Sequence, residues 1–153
     1  MSILDKVFAL DASVVAKWLK KGEELEQEAL SLRDKILGSK VCAVTSEWLL
    51  LEVVRALVKV NYPRNKIEEA YSTLQEIASL GFIEAVPIGK ALDKAKEIEI
   101  ALSLFASDAV YLATAIINHA TLISQDKHLL NRDVVNYARR EGVKIISLKE
   151  RIW

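Results

Sequence analysis

Four acidic residues of this chain stand in sequence surroundings where a carboxylate is energetically costly. Asp11 directly follows the apolar run VFAL, and Glu52 lies in the apolar-rich segment SEWLLLEVVRAL. Asp108 interrupts LFASDAVYLATAI, and Asp126 follows the run TLIS after one further residue. Burying an unpaired carboxylate costs several kcal/mol or forces the group to become neutral. The chain therefore needs something that compensates these charges.

A divalent cation is one such compensation. Mg²⁺ and Mn²⁺ prefer hard oxygen ligands, and Mg²⁺ is usually held by a few carboxylates together with water and substrate phosphate. A bound ion of this kind would also act as a Lewis acid on a phosphodiester. These residue types therefore favour metal-assisted phosphodiester chemistry.

Local structure offers another explanation for each acid taken singly. Asp11 or Asp108 could cap a helix, and Asp126 could close an Asx-turn. Pairing with a base is a weaker explanation, because Arg55, one turn from Glu52, is the only base in a matching apolar setting. Local roles explain any one of these acids well, but they explain all four together poorly.

The hydrophobic pattern around the acids predicts strands that alternate with helices. Short apolar runs of strand length are VFAL (7–10), VCAV (41–44), FIEAVPI (82–88), TLIS (121–124) and VKIISL (143–148). Between the runs, apolar residues recur at helical spacing in two stripes: Leu25, Ala29, Leu32 and Ile36, then Ile67, Ala70, Leu74 and Ile77. Gly81 is the expected end of the second of these helices.

Capping residues predict two further helix boundaries. Thr45 or Ser46 is expected to cap a helix that begins at Glu47. Asn131 is expected to cap a last helix that stops at Gly142.

Alternating strands and helices predict an α/β fold with a central, mainly parallel sheet covered on both faces. In open sheets of this kind, ligands bind beyond the carboxyl ends of the strands. Asp11 and Asp126 each follow a predicted strand, so both carboxylates are expected at the same edge of the sheet.

Length and composition set the remaining bounds. The 153 residues, with no low-complexity linker, predict a single domain over 1–153. With 21 basic and 21 acidic residues the net charge is zero, so nucleic-acid binding would need a local basic patch. The single cysteine, Cys42, excludes a disulfide framework and is expected to be a small buried hydrophobe.

The sequence also predicts a cytoplasmic protein. Asp5, Lys6 and Asp11 interrupt the N-terminal segment, where a signal peptide would need an apolar region. No stretch approaches the roughly 18 uninterrupted apolar residues of a membrane span.

The segments that carry the four acids resemble the motifs of PIN domains, in order and spacing. LDASVVAKWL, with Asp11 followed by Ser13, is similar to the first motif, and EWLLLEVVRAL, with Glu52, to the second. SDAVYLATA, with Asp108, closely resembles the third, and LISQDKHLL, with Asp126, the fourth. The match covers nearly the whole chain. The size of the chain also resembles that of the VapC toxins of VapBC toxin–antitoxin systems.

The resemblance implies a compact three-layer α/β/α sandwich and a Mg²⁺- or Mn²⁺-dependent endoribonuclease acting on RNA. It also implies a VapB-type antitoxin that occupies the site, and a homodimer. By the same resemblance, Asp11, Glu52, Asp108 and Asp126 would bind the metal and, together with Ser13, would form the catalytic site.

The resemblance also assigns roles to three other residues, with less weight on Ser124 than on Ser13. Ser13, at a Ser/Thr position of the family, would orient Asp11 or a water molecule. Ser124 stands where the family often has a small hydroxyl residue. Arg55 stands where relatives often carry Asn, so it could position RNA or neutralise Glu52.

Several other side chains have two interpretations each. Phosphate neutralisation or an ordinary surface role fits four lysines: Lys17, Lys20, Lys21 and Lys127. His119 and His128 could serve as a general acid or have structural roles. Core or dimer contacts, more than base stacking, are expected of three aromatic residues: Trp18, Trp48 and Tyr111.

Competing functional classes are weaker. A haloacid dehalogenase-type hydrolase would need an acid at position 13, where this chain has Ser13. A receiver domain would need adjacent acids after its first strand, which Asp11 and Ala12 do not supply. An RNA-maturation nuclease and a catalytically idle binding module with the same fold remain as alternatives.

Overall fold

The computed structural model describes residues 6–153. Asp5, one of the charges that argue against a signal peptide, lies outside the described residues. A five-stranded sheet has the spatial order β3-β2-β1-β4-β5, and all of its pairings are parallel. Its strands are β1 (Val7–Leu10), β2 (Cys42–Ser46), β3 (Ile83–Val86), β4 (Thr121–Ile123) and β5 (Ile145–Ile146). Each strand lies within or overlaps one of the predicted apolar runs.

Helices connect the strands and cover the sheet. They are α1 (Ala12–Leu19), α2 (Glu26–Leu37), α3 (Leu49–Lys59), α4 (Arg64–Ser79), α5 (Leu92–Leu102), α6 (Ala106–Ile117) and α7 (Arg132–Arg140). Short 3₁₀ turns occur at Ile88–Lys90 and Leu148–Glu150.

Alternating side chains of β1 separate the core into two layers, as the period of two in a strand requires. Phe8 and Leu10 pack in one layer with buried residues of α1, α2, α3 and α4. Ala9 packs in the other layer with buried residues of α5, α6 and α7. The predicted three-layer α/β/α sandwich is therefore confirmed.

Helix α6 is buried over most of its circumference. Its buried residues include Ala109, Tyr111 and Leu112 on successive faces, together with the acid Asp108. Helix α6 contacts the sheet at β1, β2 and β4, and it also contacts α5. Because α6 is enclosed on most sides, the side chain of Asp108 in its first turn is buried as well.

Several predicted helix boundaries are confirmed. Asn131 Oδ1 accepts a hydrogen bond from Asp133 N at 2.9 Å and caps α7, which ends at Arg140, shortly before Gly142. Helix α4 ends at Ser79, and Gly81 follows with φ of +83°, a conformation that favours glycine.

The predicted start of α3 at Glu47 is wrong, because a turn intervenes and the helix begins at Leu49. Ser46 Oγ accepts from Trp48 N at 3.2 Å, so it closes this turn and does not cap the helix. Glu47 Oε1 accepts from Ile88 N at 3.0 Å and ties the turn to the segment after β3.

The prediction for Cys42 is also wrong, because its side chain is exposed. Cys42 is the first residue of β2, and its neighbours Val41 and Ala43 are both buried. Alternation therefore turns Cys42 to the opposite side, at the amino end of the strand, where it is exposed among the described residues.

No single helix in residues 6–153 is long and apolar enough to cross a membrane. Helices α5 and α6 reach that length and apolarity only together, across a bend of 119°.

Candidate functional site

Asp11 is fixed where β1 meets α1. Its carboxylate is 2% exposed and accepts hydrogen bonds at both oxygens. Ser13 Oγ donates to Oδ1 at 2.6 Å, and Val14 N donates to the same oxygen at 3.3 Å as the helix cap. Ser124 Oγ donates to Oδ2. Three donors therefore hold this buried acid in one orientation.

The two serines also join β1 to β4, which are parallel neighbours. Ser13 Oγ accepts from Gln125 N at 2.9 Å, and Ser124 Oγ accepts from Asp126 N at 3.0 Å. Each hydroxyl thus donates to Asp11 while it accepts from the backbone after β4. Asp11 and Asp126 consequently lie at the same edge of the sheet, as predicted.

Asp126 is half-buried and closes the turn that follows β4. Its Oδ1 accepts from His128 N at 2.7 Å, the hydrogen bond of an Asx-turn. Its other oxygen accepts no hydrogen bond from the described residues.

Asp108 lies in the first turn of α6 and is 7% exposed. Among residues 6–153 no hydrogen bond offsets its desolvation, and repulsion from the other acids adds to it. Phe105 occupies the N-cap position of α6 and supplies no side-chain cap, so the predicted capping role of Asp108 is absent.

Glu52 lies in the first turn of α3 and points toward Asp108 and Tyr111. Its Oε1 is buried and has no hydrogen-bond partner among the described residues. Arg55 is exposed and forms no ion pair with Glu52, although both line one cleft. The local base that could have neutralised Glu52 does not do so.

We refer to Asp11, Glu52, Asp108 and Asp126 as the acid group. Burial raises the pKa of Asp11 to about 6, although its three donors oppose this, and the charge of Asp126 raises the pKa further. Burial raises the pKa of Asp108 to about 7, with repulsion from the rest of the acid group adding to the effect. Each member therefore feels the field of at least one other.

Tyr111 reports on the same field from the core side. Its hydroxyl is buried and lies near the backbone of Ala12. Burial raises the pKa of Tyr111, and the charges of Glu52, Asp11 and Asp108 raise it further. Tyr111 is therefore an uncharged core residue beside the acid group, which agrees with its predicted core role.

The donor chemistry of the acid group fits a hard divalent cation. All its ligands would be carboxylate oxygens, one of them the buried and unpartnered Oε1 of Glu52. Within residues 6–153 no three His, Cys, Asp or Glu side chains converge closely enough to hold a metal ion by themselves. An ion bound here would therefore need water or substrate oxygens as further ligands, which Mg²⁺ commonly keeps.

The predicted phosphate-binding lysines fall into two sets. Lys17 and Lys20 both pair with Glu23, at 3.3 Å and 2.7 Å, and are occupied by it. Lys21 and Lys127 are exposed and form no ion pair in the described chain.

Two clefts flank the beginning of α6. The first, of about 660 Å³, is largely apolar and reaches Glu52, with Trp48, Leu51 and Arg55 in its lining. The second, of about 500 Å³, is polar and includes His128, with Asn131, Asn136 and Arg140. Trp48 is therefore exposed in a cleft and not in the core, whereas Trp18 is half-buried against the core.

The sequence reading did not identify Phe105, which separates the two clefts along the chain. Its side chain is 67% exposed and meets the His128 ring edge-to-face, with 5.3 Å between centroids. The signal available in the sequence was a lone aromatic one turn before Asp108. His119, by contrast, is an exposed residue just after α6 with φ of +50°.

Comparison with protein-family models matches residues 8–135 to the PIN domain. Comparison with curated proteins finds no match. Among solved structures, VapBC2 from Rickettsia felis, bound to a DNA fragment from their promoter, is similar at a TM-score of 0.60 and 17% identity, covering 92% of this chain and 98% of the other.

Two further solved structures have a similar fold. FitAcB from Neisseria gonorrhoeae aligns at a TM-score of 0.58 and 13% identity, covering 93% of this chain and 98% of the other. VapBC-5 of Mycobacterium tuberculosis, a member of the VapBC family of toxin-antitoxin systems, aligns at 0.54 and 19% identity, covering 92% and 98%. At these identities the likeness concerns the fold.

Proposed function

Because this chain belongs to the PIN domain family, we propose that it is a divalent-metal-dependent endoribonuclease and the toxin of a VapBC-type toxin–antitoxin pair. The observation that carries the nuclease proposal is the acid group itself. Its members interact at one edge of the sheet, and no base neutralises them in the described chain. Structural neighbours that include VapBC2, FitAcB and VapBC-5 support the toxin assignment.

The acid group would hold Mg²⁺ or Mn²⁺. When bound, the ion would supply Lewis-acid stabilisation of the phosphodiester and would lower the pKa of water. Ser13 and Ser124 would hold the Asp11 carboxylate in the orientation that ligation needs. The Asx-turn would hold Asp126 in the same way.

Hydrolysis by water does not use the ribose 2′-hydroxyl as a nucleophile, so the preference for RNA must come from binding. We expect products with 5′-phosphate and 3′-hydroxyl ends. We further propose a VapB-type antitoxin partner, because the structural neighbours include VapBC proteins. That the antitoxin covers the acid group, that the chain forms a homodimer and that it is cytoplasmic are proposals that rest on the family resemblance.

The test uses purified protein and a structured RNA. Cleavage should require Mg²⁺ or Mn²⁺, stop with EDTA, and fall at least 100-fold in Asp11→Asn and Asp108→Asn while both variants remain folded. Asp93→Asn is a matched control, since Asp93 also lies in the first turn of a helix, α5, but is exposed. Full activity in either test variant would reject the metal-site assignment.

A further inference from the structure

We propose that Phe105 and His128 form a base-stacking platform that holds a nucleotide of single-stranded RNA beside the acid group. This inference rests on the proposed nuclease function and adds a binding determinant that the acid group does not supply. An unpaired base offers a flat face to an aromatic ring, and such stacking accepts any base.

The first observation is the exposure of Phe105. It is 67% exposed at the N-cap of α6, where its side chain caps nothing. Among the exposed large apolar side chains of residues 6–153, Phe105 and Trp48 are the aromatic ones, and Phe105 is the more exposed. Within the described residues, the aromatic partner of this exposed phenyl ring is His128.

The second observation is the way the pair is held. The rings of Phe105 and His128 lie at 77°, an edge-to-face arrangement that covers at most one ring face. The His128 backbone donates to Asp126 Oδ1 at 2.7 Å, which fixes the position of His128 relative to the acid group. Phe105 is fixed similarly, because α6 carries Asp108 one turn later.

The third observation is the polar cleft that continues from His128. Its lining offers amide donors and acceptors from Asn131 and Asn136 and the guanidinium of Arg140. Arg140 lies over the Tyr137 ring at 6.0 Å and forms no ion pair in the described chain. Asp133 is the acid in this lining, so the cleft favours neutral base edges and a single phosphate over a run of them.

These features suit a nucleotide next to the scissile phosphate. Its base would stack on the platform, and its backbone would pass from the acid group toward the polar cleft. A protein partner would instead need the apolar surface around Phe105 to extend further, whereas the adjoining cleft is polar.

The experiment measures RNA affinity in an Asp108→Asn background, in which hydrolysis is blocked. A fluorescein-labelled single-stranded oligonucleotide is titrated by anisotropy with Mg²⁺ present. Adding Phe105→Ala should raise Kd by about 5- to 100-fold, while Phe105→Trp should stay within about threefold. Leu80→Ala is the matched control, because Leu80 is 64% exposed and precedes β3 at the opposite edge of the sheet.

A second arm distinguishes stacking from a general structural effect. Oligonucleotides are prepared with an abasic nucleotide at successive positions. At one position the abasic nucleotide should weaken binding to the Asp108→Asn protein, but it should not weaken binding to the same protein carrying Phe105→Ala. Equal abasic sensitivity in both proteins would overturn the proposal. So would unchanged RNA affinity in Phe105→Ala, including the case in which sedimentation shows that it has lost a dimer contact.

The two proposals can fail separately. If protein with Asp108 intact cleaves RNA with Mg²⁺ or Mn²⁺ and Phe105→Ala cleaves and binds equally well, only the platform is refuted. If the protein with Asp108 intact cleaves no RNA with either ion, the proposed function is refuted, and the platform is refuted with it.

Discussion

Replacing Asp108 by Asn should stabilise the metal-free protein at neutral and alkaline pH. Burial, with repulsion from the rest of the acid group, raises the pKa of Asp108 from 3.8 to about 7. Between about pH 4 and pH 7 the folded protein therefore retains a proton that the unfolded chain has released. The free energy of unfolding therefore falls as the pH rises from about 4 to about 7. Above that range the Asp108 carboxylate is ionised in the folded protein, and its full destabilising effect is present.

The magnitude follows from the size of the pKa change. At 1.36 kcal/mol per pKa unit, a rise from 3.8 to about 7 corresponds to at most about 4 kcal/mol. Partial access of solvent screens the charge, so we expect Asp108→Asn to gain about 2 kcal/mol at pH 8 and nearly nothing at pH 4. For a domain of this size that gain raises Tm by roughly 4–8 °C.

The assay is urea unfolding of both proteins in EDTA at pH 5, 6, 7 and 8. The difference in unfolding free energy between variant and parent should grow with pH, and Mg²⁺ should narrow it by stabilising the parent. Asp93→Asn should stay within about 0.5 kcal/mol of the parent throughout. A difference that is absent at pH 8, or that does not change with pH, would refute the idea that Asp108 is a strained carboxylate.

Two further predictions test other parts of the site and fold. Ser124→Ala removes a hydrogen bond that lowers the pKa of Asp11. In metal-free protein, carboxyl-carbon NMR should therefore show the Asp11 carboxyl titrating about one pH unit higher. An unchanged titration would show that this hydrogen bond is not made in solution. Cys42→Ser should change the free energy of unfolding by less than about 0.5 kcal/mol, and Cys42 should react with a thiol reagent in the native state; a buried, unreactive thiol would contradict the exposure seen at the start of β2.

The sheet could be predicted from sequence because its strands are short β-branched runs with helices between them. Once β1 and β4 are parallel, the chain positions of Asp11 and Asp126 place both acids at one edge. The burial of Asp108 could also be anticipated, since LFASDAVYLATAI has apolar residues on every face of its helix.

The contacts that organise the site could not be predicted. Ser124 lies 113 positions from Asp11, and a hydrogen bond over that separation leaves no local pattern in the sequence. The exposure of Cys42 and the turn before α3 depend on where strand ends lie relative to their neighbours. Phe105 was missed because a single aromatic in an apolar segment is ordinarily a core residue, and only its position at the start of α6 exposes it.

Within the acid group, the fold treats its members in two different ways. Asp11 caps α1 and Asp126 closes a turn, so each has a local structural role that would keep it in place without any metal. Glu52 and Asp108 have no such role, and one is left with a buried, unpartnered oxygen while the other is left with a strongly raised pKa. Replacing Asp11 by Ala should therefore remove the cap of α1 as well as activity, whereas replacing Asp108 should cost activity and no structural hydrogen bond among the described residues. The proposed cation would account for Glu52 and Asp108, so the functional proposal depends on these two residues more than on the two that are already hydrogen-bonded.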